Sequence, residues 1–339
     1  MRLLLRCDAL SSLGVGHLGR CLAVAAAARD AGWEVALVGR FETAWAVERV
    51  AAADLTVLGL GATPGEIARI AANARAGVVH VDHYGLPATD EMLAACHSAG
   101  AILSNVADFA FGARPADVTT NPNFGARSSV DRVHAGPAYA LLRPDVLAAR
   151  AARTRRAESV PTRGVVVMGG TDPFGATEAV VRALADVARR PLVLEVLTPA
   201  ARELTRVLGT RQGAVELRFG APTADLPRML AQADVAVTAA GTTLLETACI
   251  GVPTAALCVT DNQRVGYEAA VEAGVVVGLG DLVAGPDAWR SGLERLLTDP
   301  SVRVAGTRLG RDLVDGRGAA RLIEDIAATT SEEDLTWGM

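Results

Sequence analysis

Short apolar runs alternate with stretches of helical pattern along the first half of the chain. The runs 3–5, 35–38, 55–58, 77–81 and 101–103 have the length and apolar character of buried strands. The stretches 21–29, 64–76 and 88–99 are typical of helices, with Thr63 as the N-cap of the second. This alternation predicts a parallel sheet with helices on both faces. Residues 110–135 are less regular.

The pattern restarts after residues 148–159, a segment rich in arginine and alanine that Pro161 closes. Strands are predicted at 164–168, 192–197, 215–219, 235–238 and 254–259, and helices at 176–188, 200–208, 226–231, 243–250 and 263–273. Two further helices, about 286–298 and 300–328, are expected to cover this half, with a return of the final one to the first half as the alternative. The sequence therefore predicts an α/β protein with two Rossmann-like domains, residues 1–145 and 163–328, a linker over 146–162 and a loose tail over 329–339.

Polar clusters directly follow three strands of the first half, at 6–17, 82–85 and 104–108. Ligands of open parallel sheets bind at the carboxyl ends of the strands, so we expect these clusters to share one rim. Gly14 and Gly16 allow a tight turn and close approach to a ligand, and a helix N-terminus favours anionic groups. The field at that terminus also favours a neutral ring at His17, the form needed in a base. The alternative is a glycine turn with a capping or merely exposed histidine.

Three glycine-, threonine- or asparagine-bearing turns follow strands of the second half. They are 169–173, 239–246 and 261–263. The backbone and hydroxyl donors at Gly241, Thr242 and Thr243 suit phosphate oxygens, and the Glu246 carboxylate suits a ribose diol. A capping box between Thr243 and Glu246 is the structural alternative.

Composition narrows the classes of function. Half of the 339 residues are hydrophobic and 21% are charged, which indicates a compact globular chain, and the net charge of −5 with no lysine gives no support for nucleic-acid binding. No apolar run is long enough to predict a membrane span. Five scattered cysteines lack metal-ligand spacing, so we expect reduced thiols, a cytoplasmic location and no metal. We also expect no cofactor and no nucleic-acid or membrane partner.

The motifs together resemble one family. They are Arg6-x-Asp8, Gly14-x-Gly16-His17-x-x-Arg20-Cys21-Leu22, Val81-Asp82-His83-Tyr84-Gly85, Gly136-Pro137-Ala138-Tyr139-Ala140-Leu141-Leu142-Arg143, Gly169-Gly170-Thr171-Asp172-Pro173, Ala240-Gly241-Thr242-Thr243 and Asp261-Asn262-Gln263. In this order they resemble the bacterial UDP-2,4-diacetamido-2,4,6-trideoxy-altropyranose hydrolases of pseudaminic acid biosynthesis, whose wider relatives include spore-coat polysaccharide proteins. The second half is also similar to the lipid-linked peptidoglycan GlcNAc transferase.

The resemblance implies a GT-B fold, with two Rossmann-like domains facing each other across a cleft that holds a UDP-sugar. It implies inverting, metal-independent hydrolysis of the anomeric C–O bond, with His17 as the base or water-orienting group and Asp8 holding the water or His17. Glu246 would hold the ribose, and Tyr84 and Asn262 would line the sugar and pyrophosphate site. The candidate substrate-binding residues are Arg6, Gly14, Gly16, Tyr84, Arg143, Gly170, Thr171, Asp172, Phe219, Gly241, Thr242, Thr243, Glu246, Asn262 and Gln263.

The chain departs from the family at two places. Many relatives carry an Asp-Asp pair where this chain has Ala107-Asp108, and a bulkier residue where it has Gly19. Either change could mean a different sugar. Two other functions stay open: a glycosyltransferase of specialised metabolism that passes the sugar to a small-molecule acceptor, and a non-catalytic nucleotide-sugar-binding protein.

Overall fold

The computed structural model describes residues 1–10, 16–83, 85–86, 89–109, 114–128 and 133–336, without the side chains of 331–336. The chain forms two compact units, which are described separately. The first contains Met1–Pro144 and Gly316–Met339, and the second contains Asp145–Asp315.

The described residues of the first unit contain a parallel sheet of seven strands. In chain order these are β1 (Arg2–Arg6), β2 (Glu34–Val38), β3 (Thr56–Val57), β4 (Val78–Val81), β5 (Ile102–Val106), β6 (Val118–Asn121) and β7 (Val133–Ala135). Their order across the sheet is β3-β2-β1-β4-β5-β6-β7. Strands β1 and β4 are therefore central neighbours, paired from Leu3 with Val78 to Arg6 with Val81. Their carboxyl ends, at Arg6 and Val81, lead into the polar segments predicted to form the rim.

Helices cover both faces of this sheet. The connecting helices are α1 (Gly16–Asp30), α2 (Ala44–Ala52), α3 (Pro64–Ala74) and α4 (Asp90–Ser98). One core packs Leu3 and Leu5 of β1 against α1, and another packs Leu4 against α3. The Thr63 hydroxyl accepts from the amide of Glu66, which confirms the predicted N-cap of α3.

Residues 145–315 are all described and form a second seven-stranded sheet. Its strands are β8 (Arg163–Val167), β9 (Leu192–Leu197), β10 (Arg211–Gln212), β11 (Val215–Gly220), β12 (Val235–Ala239), β13 (Thr254–Cys258) and β14 (Val277–Asp281). The order is β10-β11-β9-β8-β12-β13-β14, parallel apart from β10, which is antiparallel to β11. The helices are α5 (Pro144–Ala152), α6 (Ala176–Val187), α7 (Ala201–Leu208), α8 (Leu226–Gln232), α9 (Thr242–Ile250), α10 (Arg264–Glu272), α11 (Pro286–Thr298) and α12 (Pro300–Leu313).

The final helix, α13 (Gly318–Thr336), belongs to the first unit. Leu322, Ile323 and Ile326 are buried in the same core as α1, and Gly318 lies so close to the backbone of Ala140 that a Cβ there would be 2.4 Å from its carbonyl oxygen. This division differs from the predicted domains 1–145 and 163–328 in two ways. The predicted linker, 146–162, lies in the second unit with α5, and the predicted helix over 300–328 is two helices, because the chain leaves α12 before Gly316, whose φ is +86°.

No helix in the described part of the chain combines the length and apolar character needed to cross a membrane.

Candidate active site

An aspartate and an arginine hold His17 at the first turn of α1. The Asp82 carboxylate, which follows β4, has Oδ1 2.6 Å from His17 Nδ1. Arg20, one turn further along α1, donates through Nε and Nη2 to the two oxygens of Asp82 at 2.7 and 2.8 Å. His17 and Asp82 are 3% and 2% exposed, so the contact is shielded from water. At this rim of the sheet, the start of α1 and the end of β4 meet, and Asp82 contacts both His17 and Arg20.

The charge state of Asp82 decides which nitrogen of His17 carries its proton. Burial alone would raise the pKa of the Asp82 carboxyl, but the Arg20 guanidinium and His17 outweigh it and hold this pKa far below its usual range. An ionised carboxylate only accepts hydrogen bonds, so His17 donates to Asp82 from Nδ1, and when the ring is neutral its lone pair is on Nε2. This is the arrangement in which a carboxylate orients an imidazole and stabilises its protonated form.

A second charged group lies beside the first. Arg6, the last residue of β1, donates to both oxygens of Asp8 at 2.6 and 3.2 Å, and His83 Nε2 lies 2.8 Å from Asp8 Oδ2. The Arg40 amide donates to Asp8 Oδ1 at 2.9 Å. Burial opposes ionisation, but these donors hold the pKa of the Asp8 carboxyl well below its usual range.

The structure pairs His17 with a different aspartate from the one singled out in the sequence, and the alternative that Asp8 holds the water stays a prediction. Asp8 is close to His17 in sequence, but its described contacts run to Arg6, Arg40 and His83, while Asp82 holds the histidine. The reason is the order of the sheet, which places the end of β4 next to the end of β1. The signal for Asp82 and His83 was present as the polar run after the buried strand 77–81, in the motif that also contains Tyr84.

The Arg143 side chain lies next to Gly19 of α1. A Cβ on Gly19 would lie 3.3 Å from Arg143 Nη1, and the Arg143 guanidinium lies 6.0 Å from the Trp45 ring centroid. Glycine at position 19 therefore provides the room for Arg143. Gly16 starts α1 and is partly exposed. The predicted residues Gly14 and Tyr84 lie outside the described residues.

The turn between β12 and α9 has the features predicted for phosphate binding. Gly241 is the N-cap of α9, and the amides of Thr242 and Thr243 open the helix. Because Gly241 is the cap, Thr243 is not the cap residue of a Thr-x-x-Glu capping box. Glu246 lies on the second turn and is 5% exposed. At the end of β12, the buried hydroxyl of Thr238 has no hydrogen-bond partner among the described residues.

The next turn approaches Gly241. A Cβ on Gly241 would lie 3.6 Å from Gln263 Nε2, and Gln263 Oε1 accepts from the Val259 amide at 3.3 Å. Asn262 is exposed and accepts from the Thr260 hydroxyl at 3.0 Å. The structure therefore places two of the three predicted turns side by side.

The third turn is less suited to a ligand than predicted. Gly170 and Thr171 are exposed, but the Asp172 carboxylate accepts from the amides of residues 176 and 177 and, at 2.6 Å, from the Thr177 hydroxyl. Asp172 thus holds the first turn of α6, and its substrate-binding assignment gives way to a structural one. Phe219 on β11 packs partly buried against the core of the second unit.

No group of three or more His, Cys, Asp or Glu side chains in the described residues could hold a metal ion.

The two parallel, helix-covered sheets belong to the GT-B class of α/β fold, as known structures demonstrate. MurG of Acinetobacter baumannii superposes with a TM-score of 0.66 at 13% identity, covering 96% of this chain and 99% of that one. The spinosyn rhamnosyltransferase SpnG in complex with thymidine diphosphate gives 0.65 at 16% identity, covering 96% and 100%. The Staphylococcus aureus MnaA–UDP complex gives 0.65 at 12% identity, covering 97% of each chain.

One curated protein is similar in sequence. The spore coat polysaccharide biosynthesis protein SpsG of Bacillus subtilis is 28% identical over 200 residues, which are 56% of this chain and 57% of that protein. The match thus spans less than two-thirds of the relative's length. No family model matches the chain.

Proposed function

We propose that the chain cleaves a nucleotide sugar at its anomeric carbon, with His17 as the base. The observation that carries the proposal is the 2.6 Å contact between His17 Nδ1 and the ionised Asp82, which supports a neutral ring with its lone pair on Nε2. General-base catalysis by such a histidine typically contributes about 10²–10⁴-fold.

The proposed reaction is hydrolysis with inversion. A water oxygen attacks the anomeric carbon while the bond from that carbon to the diphosphate oxygen breaks, and the bonding electrons leave with the diphosphate. His17 Nε2 takes the water proton, and Asp82 stabilises the resulting imidazolium. The motif resemblance to UDP-sugar hydrolases favours water as the nucleophile and uracil as the nucleobase of the substrate.

We further propose that the turn at Gly241 binds the nucleotide. The helix N-terminus at Thr242 suits diphosphate oxygens, as does the Thr238 hydroxyl, which has no hydrogen-bond partner in the described part of the chain. The buried Glu246 suits the ribose hydroxyls. That SpnG and MnaA, which share the fold, were solved with nucleoside diphosphates supports a ligand of this class.

Transfer to an alcohol is the second candidate. It is favoured by the shared fold of SpnG, whose name describes a rhamnosyltransferase. Water and an acceptor hydroxyl need the same base, so the His17–Asp82 pair fits both reactions.

The test is a panel of nucleotide sugars incubated with the protein, with and without candidate acceptor alcohols. Free sugar and nucleoside diphosphate in the absence of acceptor support hydrolysis, whereas a product that forms only with acceptor supports transfer. His17→Asn should lower the rate by about 10²–10⁴-fold, since Asn can still donate to Asp82 but has no counterpart of Nε2. An unchanged rate in this variant contradicts the assignment of His17.

Nucleotide binding is tested separately by calorimetric titration with UDP. Glu246→Ala should weaken binding by about 10–100-fold, the effect of losing hydrogen bonds to a carboxylate, while Glu203→Ala on the exposed face of α7 should bind as the wild type does. Equal affinities of the two variants would remove the ribose assignment.

A further inference from the structure

Both ring nitrogens of His83 are engaged, and their partners fix its protonation. Nδ1 lies 2.9 Å from the amides of both Gly85 and Leu86. A backbone amide only donates, so Nδ1 must carry the lone pair. Nε2, 2.8 Å from Asp8 Oδ2, then carries the hydrogen and donates to the carboxylate. The contacts of His83 therefore define a neutral ring with its hydrogen on Nε2.

The neighbouring histidine has the opposite tautomer. When neutral, His17 donates from Nδ1 to Asp82 and has its lone pair on Nε2. The two ring centroids are 6.4 Å apart and the ring planes are inclined by 30°. Of the two histidines, only His17 has contacts that direct a lone pair to Nε2.

We propose that His83 is a positioning residue for the reaction assigned to His17: held neutral, it ties Gly85 and Leu86 to Asp8 beside the base without adding a positive charge there. The inference rests on the proposed function, because a base next to a second cation would be harder to protonate. Its structural part, the tautomer, does not depend on any activity.

The charges around the two rings support this role. Arg6 pairs with Asp8, and Arg20 pairs with Asp82. In each of these ion pairs beside the histidines the two charges offset each other. Arg114 Nη1 also donates to the carbonyl of His83 at 2.8 Å. A proton on His17 during the reaction adds one positive charge, and a second proton on His83 would break the bonds from both amides as well as repel it.

Asp8 is a fixed anchor for this contact. The Arg6 Nε donates to the carbonyl of Gly61 at 2.8 Å, which holds the guanidinium in place. On the other side, a Cβ on Gly39 would lie 2.8 Å from Asp8 Oδ1. Glycine at 39 therefore makes room for the carboxylate that orients His83.

The first test is nitrogen-15 NMR of the histidine rings in the ligand-free protein at neutral pH, assigned with His83→Gln and His17→Asn. We expect His83 with its hydrogen on Nε2 and His17 with its hydrogen on Nδ1. A His83 ring that is doubly protonated or carries its hydrogen on Nδ1 overturns the proposal, whatever the activity. If His17→Asn keeps full activity while both tautomers are as expected, the proposed function fails and the His83 assignment survives only as an anchor of Gly85 and Leu86.

The second test uses two variants that each keep one contact. The Asn carbonyl of His83→Asn can replace Nδ1 as the acceptor, and the Gln amide of His83→Gln can replace Nε2 as the donor to Asp8. A positioning role predicts that kcat falls by about 10–100-fold in His83→Asn, with KM nearly unchanged and partial rescue in His83→Gln. Full activity in both variants, or a loss confined to KM, contradicts it. His97→Gln is the matched control and should behave as wild type, because His97 is exposed and its Nε2 lies 3.0 Å from a different carboxylate, that of the buried Asp117.

Discussion

Replacing Asp82 by asparagine should abolish most of the activity while changing one atom. The side chain keeps its shape but loses the charge that lies 2.6 Å from His17 Nδ1 and pairs with Arg20. An asparagine can also turn its NH2 group toward His17. In that case Nδ1 becomes the acceptor and the hydrogen moves to Nε2, which removes the lone pair proposed to take the proton.

The magnitude follows from the charges at the site. When His17 is protonated, the Asp82 carboxylate stabilises it by about 4 kcal/mol, taking a charge separation of about 4 Å and an effective dielectric constant of about 20. That energy corresponds to a factor of about 10³ in rate. Arg20 Nη2 lies 3.0 Å from His17 Nδ1, so without Asp82 the imidazolium would face an uncompensated guanidinium. We therefore expect kcat to fall by about 10³–10⁴-fold.

The assay is the release of nucleoside diphosphate under single-turnover conditions, with enzyme in excess over nucleotide sugar, so that product release does not mask the chemical step. Asp117→Asn is the control, because Asp117 also pairs with a histidine, His97 at 3.0 Å, on another part of the first unit. It should react at close to the wild-type rate. An Asp82→Asn rate within about threefold of wild type would refute the reasoning, given the electrostatic energy that it removes.

Three further predictions concern stability. Gly39→Ala should destabilise the fold by about 3 kcal/mol, because φ at Gly39 is +144° and a Cβ would lie 1.8 Å from the carbonyl oxygen of Cys7. Arg303→Met should cost about 3 kcal/mol, because the buried guanidinium donates to three backbone carbonyls that would lose their partner. Burial lowers the pKa of His80 from 6.5 to about 4. Between these pH values the unfolded chain binds a proton that the folded chain does not, so the free energy of unfolding should fall as pH drops, by at most about 1.4 kcal/mol per pH unit.

Urea unfolding measures all three, and each has a control. Gly32→Ala has a positive φ of +78° but no atom within 4 Å of the added carbon, so it should cost only about 1 kcal/mol. Arg308→Met, at an exposed position of the same helix as Arg303, should change stability by less than about 0.5 kcal/mol. His80→Gln should reduce the slope between pH 6.5 and 4 and leave the part that comes from carboxyls with lowered pKa, such as Asp8 and Asp82. If Gly39→Ala and Gly32→Ala, or Arg303→Met and Arg308→Met, lower the free energy of unfolding equally, the corresponding prediction is contradicted. The same holds for His80 if His80→Gln leaves the pH dependence of that free energy unaltered.

The alternation of apolar runs and helical stretches was sufficient to predict two α/β halves with parallel sheets, because buried parallel strands are almost continuously apolar. It was insufficient for β6 and β7. Three of the four residues of β6, Val118-Thr119-Thr120-Asn121, are polar, and β7 has only three residues, so neither has the apolar run by which a buried strand is recognised.

The candidate site was predictable where function depends on a local turn, and not where it depends on contacts distant in sequence. His17 was found from its place at a glycine turn and a helix start. Its partner Asp82 is 65 residues away and is brought to it by the neighbouring positions of β1 and β4 in the sheet. Asp172 was assigned from a glycine turn in the same way, but its carboxylate holds a helix, a role that the same residue types serve equally well.

The central claim is that His17 takes a proton from water as the water attacks the anomeric carbon. It is tested most directly by turnover of a UDP-sugar in water labelled with oxygen-18, followed by proton NMR and mass spectrometry. We predict that the label appears on C1 of the sugar, that the first sugar formed has the inverted anomeric configuration, and that His17→Asn forms it at least about 10²-fold more slowly. Label on the terminal phosphate of the nucleotide, retained configuration, or an undiminished rate in His17→Asn would contradict the account.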